Sequence, residues 1–226
     1  MGRAIVLRIM DSDDLQLHAA IGRAGGDLVG ELVVGAGTLR YSGDLAGALA
    51  GCDVLIDFSL ASATAAIADA AADAGVALLS GVTGLDAAAE AALDAAAVRV
   101  PVLHTNNTSL GVTLMMHLLE VSRAALPGAR VRLHEVHHAA KLDAPSGTAM
   151  MMGLVTGVPV AEITHQRTGD VPGEHEVVFD LGAERLELNH RVSDRGVFAD
   201  GALIAARWLA GKPAGRYSMA EVLGLE

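Results

Sequence analysis

The chain has 226 residues, 52% of them hydrophobic, 19% charged and 3% aromatic, with 26 glycines. That suits one or two domains with a sizeable core, and it excludes a disordered chain or a collagen. Lys and Arg number 16 against 27 Asp and Glu, a net charge of -11, which repels phosphate backbones and excludes general nucleic-acid binding.

In chain order, residues 2–10, 44–50, 62–74 and 86–96 read as helices. Between them, Leu15–Ile21, Val54–Phe58, Val76–Leu79 and Val100–His104 read as strands. Short, nearly all-apolar strands separated by helices imply a parallel sheet covered on both faces, the doubly wound α/β pattern. Ser109–Leu126 has helical spacing and ends at Pro127-Gly128. Val131–His138 follows as a strand, then a Pro-Ser-Gly-Thr turn opens a helix at 147–154. Val177–Leu181 and Leu186–Val192 read as antiparallel strands turning near Gly182, and Gly201–Leu209 as a helix. The tail, Tyr217–Leu225, is expected to pack back. The second half is therefore α+β, and the boundary is placed near 105–110.

Other classes fall away. The single cysteine, Cys52, allows no intramolecular disulfide and no cysteine zinc cage. No stretch is expected to span a bilayer, since the Ala-rich run at 61–77 carries Asp69 and Asp73. Ala4–Leu7 is too short for a signal-peptide core, and Val6 stands where a myristoylation site needs Ser or Thr. The expected location is the cytoplasm.

The densest polar cluster runs from His134 to Thr148 and holds His134, Glu135, His137, His138, Lys141, Asp143 and Ser146. Strand alternation puts His137 and His138 on opposite faces, and a loop carries Lys141 beside them. Ser146 is an N-cap, with Gly147 and Thr148 opening a helix whose N–H groups suit a carboxylate. Lys141 adds a positive charge, and His137 can deliver a proton near neutral pH. Each piece alone has a plain structural reading: His134 as a satisfied structural histidine, Ser146-Gly147-Thr148 as a cap. Together on one loop they point to a site. Neighbours on one strand point apart and no third ligand is evident, so no metal is expected. Gly81-Val82-Thr83-Gly84 and Thr105-Asn106-Asn107-Thr108-Ser109 each follow a predicted strand. The carboxyl ends of strands are where open parallel sheets bind ligands.

The run Glu135-Val136-His137-His138 through Lys141-Leu142-Asp143-Ala144-Pro145-Ser146-Gly147-Thr148-Ala149 closely resembles the signature of the dihydrodipicolinate reductase family. Asp57-Phe58-Ser59, Gly81–Gly84, Asn107–Gly111, Arg167–Asp170 with Gly173–His175, Phe198–Ala202 and Tyr217-Ser218-Met219 are similar too. The resemblance implies a Rossmann-like dinucleotide-binding domain formed by 1–106 and 205–226. A substrate-binding and oligomerisation domain would occupy 107–204. It implies hydride transfer from NADPH or NADH to a small cyclic dicarboxylate, in a homotetramer built on the second domain's sheet. By the same resemblance, His137 is the proton donor or acceptor and Lys141 the general acid. His138, Ser146, Gly147 and Thr148 would hold substrate. Gly81, Val82, Thr83, Thr105, Asn106, Asn107 and Thr108 would line the cofactor. The chemistry agrees, because a cofactor supplies the hydride and the protein must supply the proton.

Two departures stand out. The family opens with a strand and a G-x-x-G-R-M-G turn, and Met1-Gly2-Arg3 matches only its last letters, leaving Gly2 from the phosphate cradle. The expectation is a natural start upstream of Met1, the rival being a shortened protein with weakened cofactor binding. The acidic residue expected to bind the adenosine ribose is Gly22, followed by Arg23. Arg23 can pair with a 2′-phosphate, so NADPH should serve at least as well as NADH. A non-catalytic binding or assembly protein is the alternative class. The intact His137, Lys141 and Ser146–Thr148 set argues against it, as the Asp-Ala-Pro-Ser-Gly-Thr run argues against an aspartate-type dehydrogenase.

Overall fold

A computed structural model describes residues 1–225. The helices are α1 (Gly2–Met10), α2 (Leu45–Leu49), α3 (Thr64–Ala74), α4 (Ala87–Ala97), α5 (Leu110–Ala125), α6 (Gly147–Thr156), α7 (Gly196–Leu209) and α8 (Met219–Leu223). The strands are β1 (Val54–Asp57), β2 (Ala77–Ser80), β3 (Pro101–His104), β4 (Arg130–His137), β5 (Thr164–Arg167), β6 (Gly173–Asp180), β7 (Arg185–Val192) and β8 (Gly215–Tyr217). The chain forms two compact units. One is Met1–Thr108 with Phe198–Val222; the other is Ser109–Val197 with the last residues from Leu223.

The first unit holds a wholly parallel sheet in the order β1-β2-β3-β8. Every residue of β2 is buried, which is why it reads as an unbroken apolar run rather than an alternation. Helices α3 and α4 press small faces, Ala68, Ala71, Ala72 and Ala96, into the same core as Leu78, Leu93 and Val102. Alanine there lets the helices lie close, and it suits helix formation as well. Gly75 ends α3 in the left-handed conformation, φ 70°, which costs a residue with a Cβ more than it costs glycine.

The predicted strand Leu15–Ile21 is not one. Only Ile21 pairs, in a single parallel bridge to Ser42. An alternation is present over its first residues: Leu15, Leu17 and Ala19 are half-buried between exposed Gln16 and His18, and Leu17 packs on a small cluster with Val6, Ala20 and Val33. Among the described residues no second strand runs alongside to exchange ladder bonds, and a strand is defined by its partner as much as by its period.

The second unit holds a mixed sheet in the order β5-β4-β6-β7. Strand β4 runs parallel to β5 and antiparallel to β6, which is antiparallel to β7. Helices α5 and α6 contribute Val112, Met115, Leu119, Ala149 and Met152 to a core shared with Leu133, Val177 and Phe179. Strand β6 starts at Gly173, four positions before the predicted Val177. Its first half, Gly-Glu-His-Glu, keeps period two but buries Gly173 and His175 instead of aliphatic side chains. Strands β5 and β8 were not predicted, and α7 starts at Gly196, before the predicted Gly201. Strand β5, Thr-His-Gln-Arg, is polar throughout. Among the described residues, no helix is long and apolar enough to cross a membrane.

Candidate active site

Register brings the polar residues of the second unit together. Glu135 on β4 pairs with His175 on β6, which pairs with His190 on β7. His137, two positions along β4, shares their face, so its ring meets that of His175 edge-on at 5.3 Å between centroids. The His175 and His190 rings lie 6.2 Å apart.

Glu135 is the hub of this row and is wholly buried. Its Oε1 accepts a hydrogen bond from the Ser146 backbone N–H at 3.0 Å and another from Arg167 Nη2 at 2.8 Å. Its Oε2 lies 2.8 Å from His137 Nδ1 and 4.0 Å from His175 Nε2. The closer approach is an ion-pair contact; neither Oε2 nor Nδ1 completes a hydrogen bond. Burial pushes the Glu135 carboxyl up, but the bonds from Ser146 and Arg167 outweigh it and hold the group ionised below its ordinary value.

Burial lowers the affinity of His137 for a proton; Glu135 opposes this, while Lys141 and Arg167 add to it. His175 is pushed by burial from its ordinary 6.5 down to about 4, with the neighbouring His137 adding to the shift. It is therefore neutral at pH 7.

The loop after β4 is tied down at several points. Thr168 N–H donates to the His137 carbonyl at 2.9 Å, and Ala139 N–H to the Gly169 carbonyl at 3.0 Å. Arg167 Nη2 also donates to the Asp143 carbonyl at 2.6 Å. Lys141 Nζ sits 2.8 Å from Asp143 Oδ1, and that bond lowers the Asp143 carboxyl. Ser146 caps α6 as expected, its Oγ accepting from Ala149 N–H at 3.2 Å. A Cβ on Gly147 would meet nothing within 4 Å, so the first turn of α6 is open to a ligand. His138 is half-buried just beyond the strand end, with Thr148 in the first turn of α6. His134 bonds Thr164 Oγ1 through Nδ1 at 2.9 Å, a structural role. The loop from His137 to Thr148 thus gathers one proton-exchanging ring, one ammonium and an open helix N-terminus. A dianionic substrate that must receive a proton needs these three parts.

Glu135, His137 and His175 place donor atoms within 4.8 Å of one another. Arg167 already neutralises that carboxylate, so a metal cation would gain little from it.

In the first unit, the other predicted residues gather at the carboxyl ends of β1 to β3. His104 Nε2 donates to the Val82 carbonyl at 2.8 Å, and Thr105 N–H to the Ser80 carbonyl at 3.0 Å. These bonds link the Gly81–Thr83 turn to the Thr105–Thr108 turn. Within the second turn, Thr105 Oγ1 donates to the Asn107 carbonyl. Asn106 lies between them, and Thr108 Oγ1 donates to the Phe198 carbonyl at 2.6 Å. A Cβ on Gly81 would collide with the Phe58 ring, so any other residue there must displace that ring. At the end of β1, Asp57 Oδ1 accepts from Ser59 N–H while the buried Oδ2 has no partner. An orphaned acceptor at the carboxyl end of a parallel strand fits a hydroxyl-bearing ligand such as a dinucleotide. Gly2 opens α1 with no side-chain cap. Arg23 is exposed in the turns that follow Ile21.

A parallel-sheet unit with turns at its strand ends, joined in one chain to a unit that gathers an imidazole, an ammonium and a helix N-terminus, is the arrangement of a dinucleotide-dependent reductase. The comparisons make this specific. The model for the N-terminus of dihydrodipicolinate reductase matches residues 1–108, and the model for its C-terminus matches residues 111–223. The chain belongs to the dihydrodipicolinate reductase family. A relative from Alkalilimnicola ehrlichii is 39% identical over all of this chain and 95% of its own length. One from an Anaeromyxobacter species is 42% identical, over all of this chain and 94% of its own. Both are named 4-hydroxy-tetrahydrodipicolinate reductase. The fold matches a dipicolinate-bound dihydrodipicolinate reductase from Paenisporosarcina sp. TG-14, with a TM-score of 0.81 at 19% identity, over 97% of this chain and 94% of that one. It also matches GenD2 of gentamicin A biosynthesis in complex with NAD, TM-score 0.65 at 14% identity, over 100% of this chain and 88% of that one.

The sequence had flagged Glu135, Arg167 and His175 as part of the resemblance without giving them work. Glu135 and His175 share one signal, a buried polar position within a period-two pattern; Arg167, half-buried at the end of the polar strand β5, carries no such signal.

Proposed function

We propose that this enzyme reduces 4-hydroxy-tetrahydrodipicolinate to tetrahydrodipicolinate with NADPH or NADH, in lysine and diaminopimelate biosynthesis. The loop from His137 to Thr148 carries the reading, because it joins an acid to an anion site of the right charge. Gly81, Val82, Thr83, Thr105, Asn106, Asn107 and Thr108, at the strand ends of the first unit, would hold the nicotinamide cofactor, which would supply a hydride when bound. The net reaction adds that hydride and a proton, and the 4-hydroxyl leaves as water.

The protein's own residues supply the rest. Gly147 and Thr148, with the Ser146 cap, hold one substrate carboxylate at the N-terminus of α6, where backbone N–H groups and the helix dipole favour an anion. His138 contacts the substrate from the strand end. Lys141 contributes the positive charge that a dianion needs in a chain of net charge -11. Asp143, 2.8 Å away, holds the Lys141 ammonium in place. Lys141 acts as general acid, and His137 gives or takes the proton. Dipicolinate, a flat ring dicarboxylate, occupies the relative from Paenisporosarcina, which supports the substrate class.

Arg23, standing where a ribose-binding carboxylate is expected, supports use of NADPH at least as well as NADH. A homotetramer assembled through the sheet of the second unit, working in the cytoplasm, goes with the reading; light scattering of the purified protein tests the assembly. The reaction itself is tested by following reduced nicotinamide with freshly generated substrate. Substrate-dependent oxidation that falls in His137→Ala and Lys141→Ala supports the assignment, and oxidation indifferent to both removes it.

A further inference from the structure

We propose that Glu135 is the positioning residue of this site, a single buried carboxylate that both fixes the tautomer of His137 and anchors the start of α6. The inference rests on the reading of His137 as the proton-exchanging group. The carboxylate divides its two oxygens between two tasks. Oε1 takes the Ser146 N–H and the Arg167 guanidinium, so it ties the capping residue of the substrate-binding helix to the middle of β4. Oε2 has no hydrogen bond of its own and lies against His137 Nδ1 at 2.8 Å. An ionised carboxylate only accepts, so the nitrogen beside it is the one that carries hydrogen. That leaves Nε2 as the nitrogen that exchanges a proton with substrate. The residue opposite agrees: Gly173 faces Nε2, and a Cβ there would come within 3.1 Å of it. The bare backbone keeps the exchanging nitrogen clear.

The charges around His137 show why the carboxylate is needed. Arg167 approaches from β5, His175 from β6 with His190 behind it on β7, and Lys141 and Asp143 from the loop. Arg167, Lys141 and burial all disfavour the imidazolium. His175 is neutral and adds no counter-charge. Glu135 and Asp143 are the two groups that favour it, and Asp143 is already paired with Lys141. Without the Glu135 charge, His137 would hold a proton only at lower pH. A Gln in its place would also turn an N–H toward Nδ1 and reverse the tautomer.

The test combines ring-nitrogen NMR of His137 in the unaltered protein with kinetics of Glu135→Gln and Glu135→Asp, beside His137→Asn. In the unaltered protein the ring should be protonated on Nδ1; protonation on Nε2 overturns the inference without any variant. In Glu135→Gln, kcat at pH 7 should fall ~10–100-fold, the pH profile should move to lower pH, and the tautomer should switch. Substrate KM should rise, because the anchor of α6 is weakened. Glu135→Asp, which keeps the charge, should restore the pH profile in part. A Glu135→Gln enzyme that is merely less active, with profile and tautomer unchanged, overturns the positioning role. Full turnover by His137→Asn removes the role of His137 and this inference together. Loss of turnover there with an unmoved Glu135→Gln profile removes the inference alone.

Discussion

The two sheets of this protein bury different kinds of residue. In the first, Leu78, Leu79, Val102 and Leu103 are fully buried aliphatic side chains, and the residues proposed to bind cofactor lie in the turns at the strand ends. In the second, Glu135, His137 and His175 are buried within the strands themselves, beside Leu133, Val177 and Phe179. The first sheet is a scaffold that presents loops. The second carries Glu135, His137 and His175 in its own hydrogen-bond ladder, where neighbouring strands fix side chains more firmly than a loop can. A dinucleotide offers many polar handles to loops, whereas proton delivery depends on one atom being in one place.

This contrast can be broken by substitution. The largest effect is expected at His137 and Lys141, where Ala should lower kcat by ~10²–10⁴-fold while circular dichroism and melting temperature change little. A collapse of the fold instead would show these residues to be structural. In the first sheet, Leu79→Ala should cost about 2–5 kcal/mol of stability, read by denaturant melts, and should leave the pH dependence of kcat unmoved. A shifted pH profile there would dissolve the distinction between the sheets.

Acid should separate the two sheets as well. The folded-state value of His175 lies near 4 against an ordinary 6.5, so the unfolded chain binds that proton more readily between those limits. Its neutral burial leaves stability intact above pH 6.5, and stability declines as pH falls toward 4, by at most about 1.4 kcal/mol per pH unit for this one group. His190 and His137 shift in the same direction. Melts of His175→Asn across this range should show a flatter slope, and an unchanged slope would contradict the assignment. Smaller effects are expected at the edges. Ser146→Ala removes the cap of α6 and should cost about 1 kcal/mol while raising substrate KM. Arg23→Ala should raise KM for NADPH and leave that for NADH alone; equal changes in both would remove the 2′-phosphate role.

The same contrast governs what the sequence made legible. Strands β1, β2 and β3 stand out because aliphatic runs between helices have few other readings, and the binding turns follow from them. The His137–Thr148 loop was legible because its parts are contiguous. Arg167 and His175 were not given roles because they join the site by cross-strand pairing, and linear spacing does not encode register. Gly173 and His175, buried where aliphatic side chains are expected, hid the start of β6. Leu15–Ile21 misled in the opposite sense: its alternation reports a buried side and says nothing of a partner. The pairing of Lys141 with Asp143 lay within a single loop, yet only side-chain geometry reveals it.

The most direct measurement is the rate of NADPH and NADH oxidation with freshly generated 4-hydroxy-tetrahydrodipicolinate, by the 226-residue chain and by its His137→Ala variant, alongside cofactor binding to both. The account predicts turnover by the parent, loss of at least about 100-fold in the variant, and equal cofactor affinity. Equal turnover by the two proteins, or no turnover by a parent that binds cofactor and substrate, would contradict it.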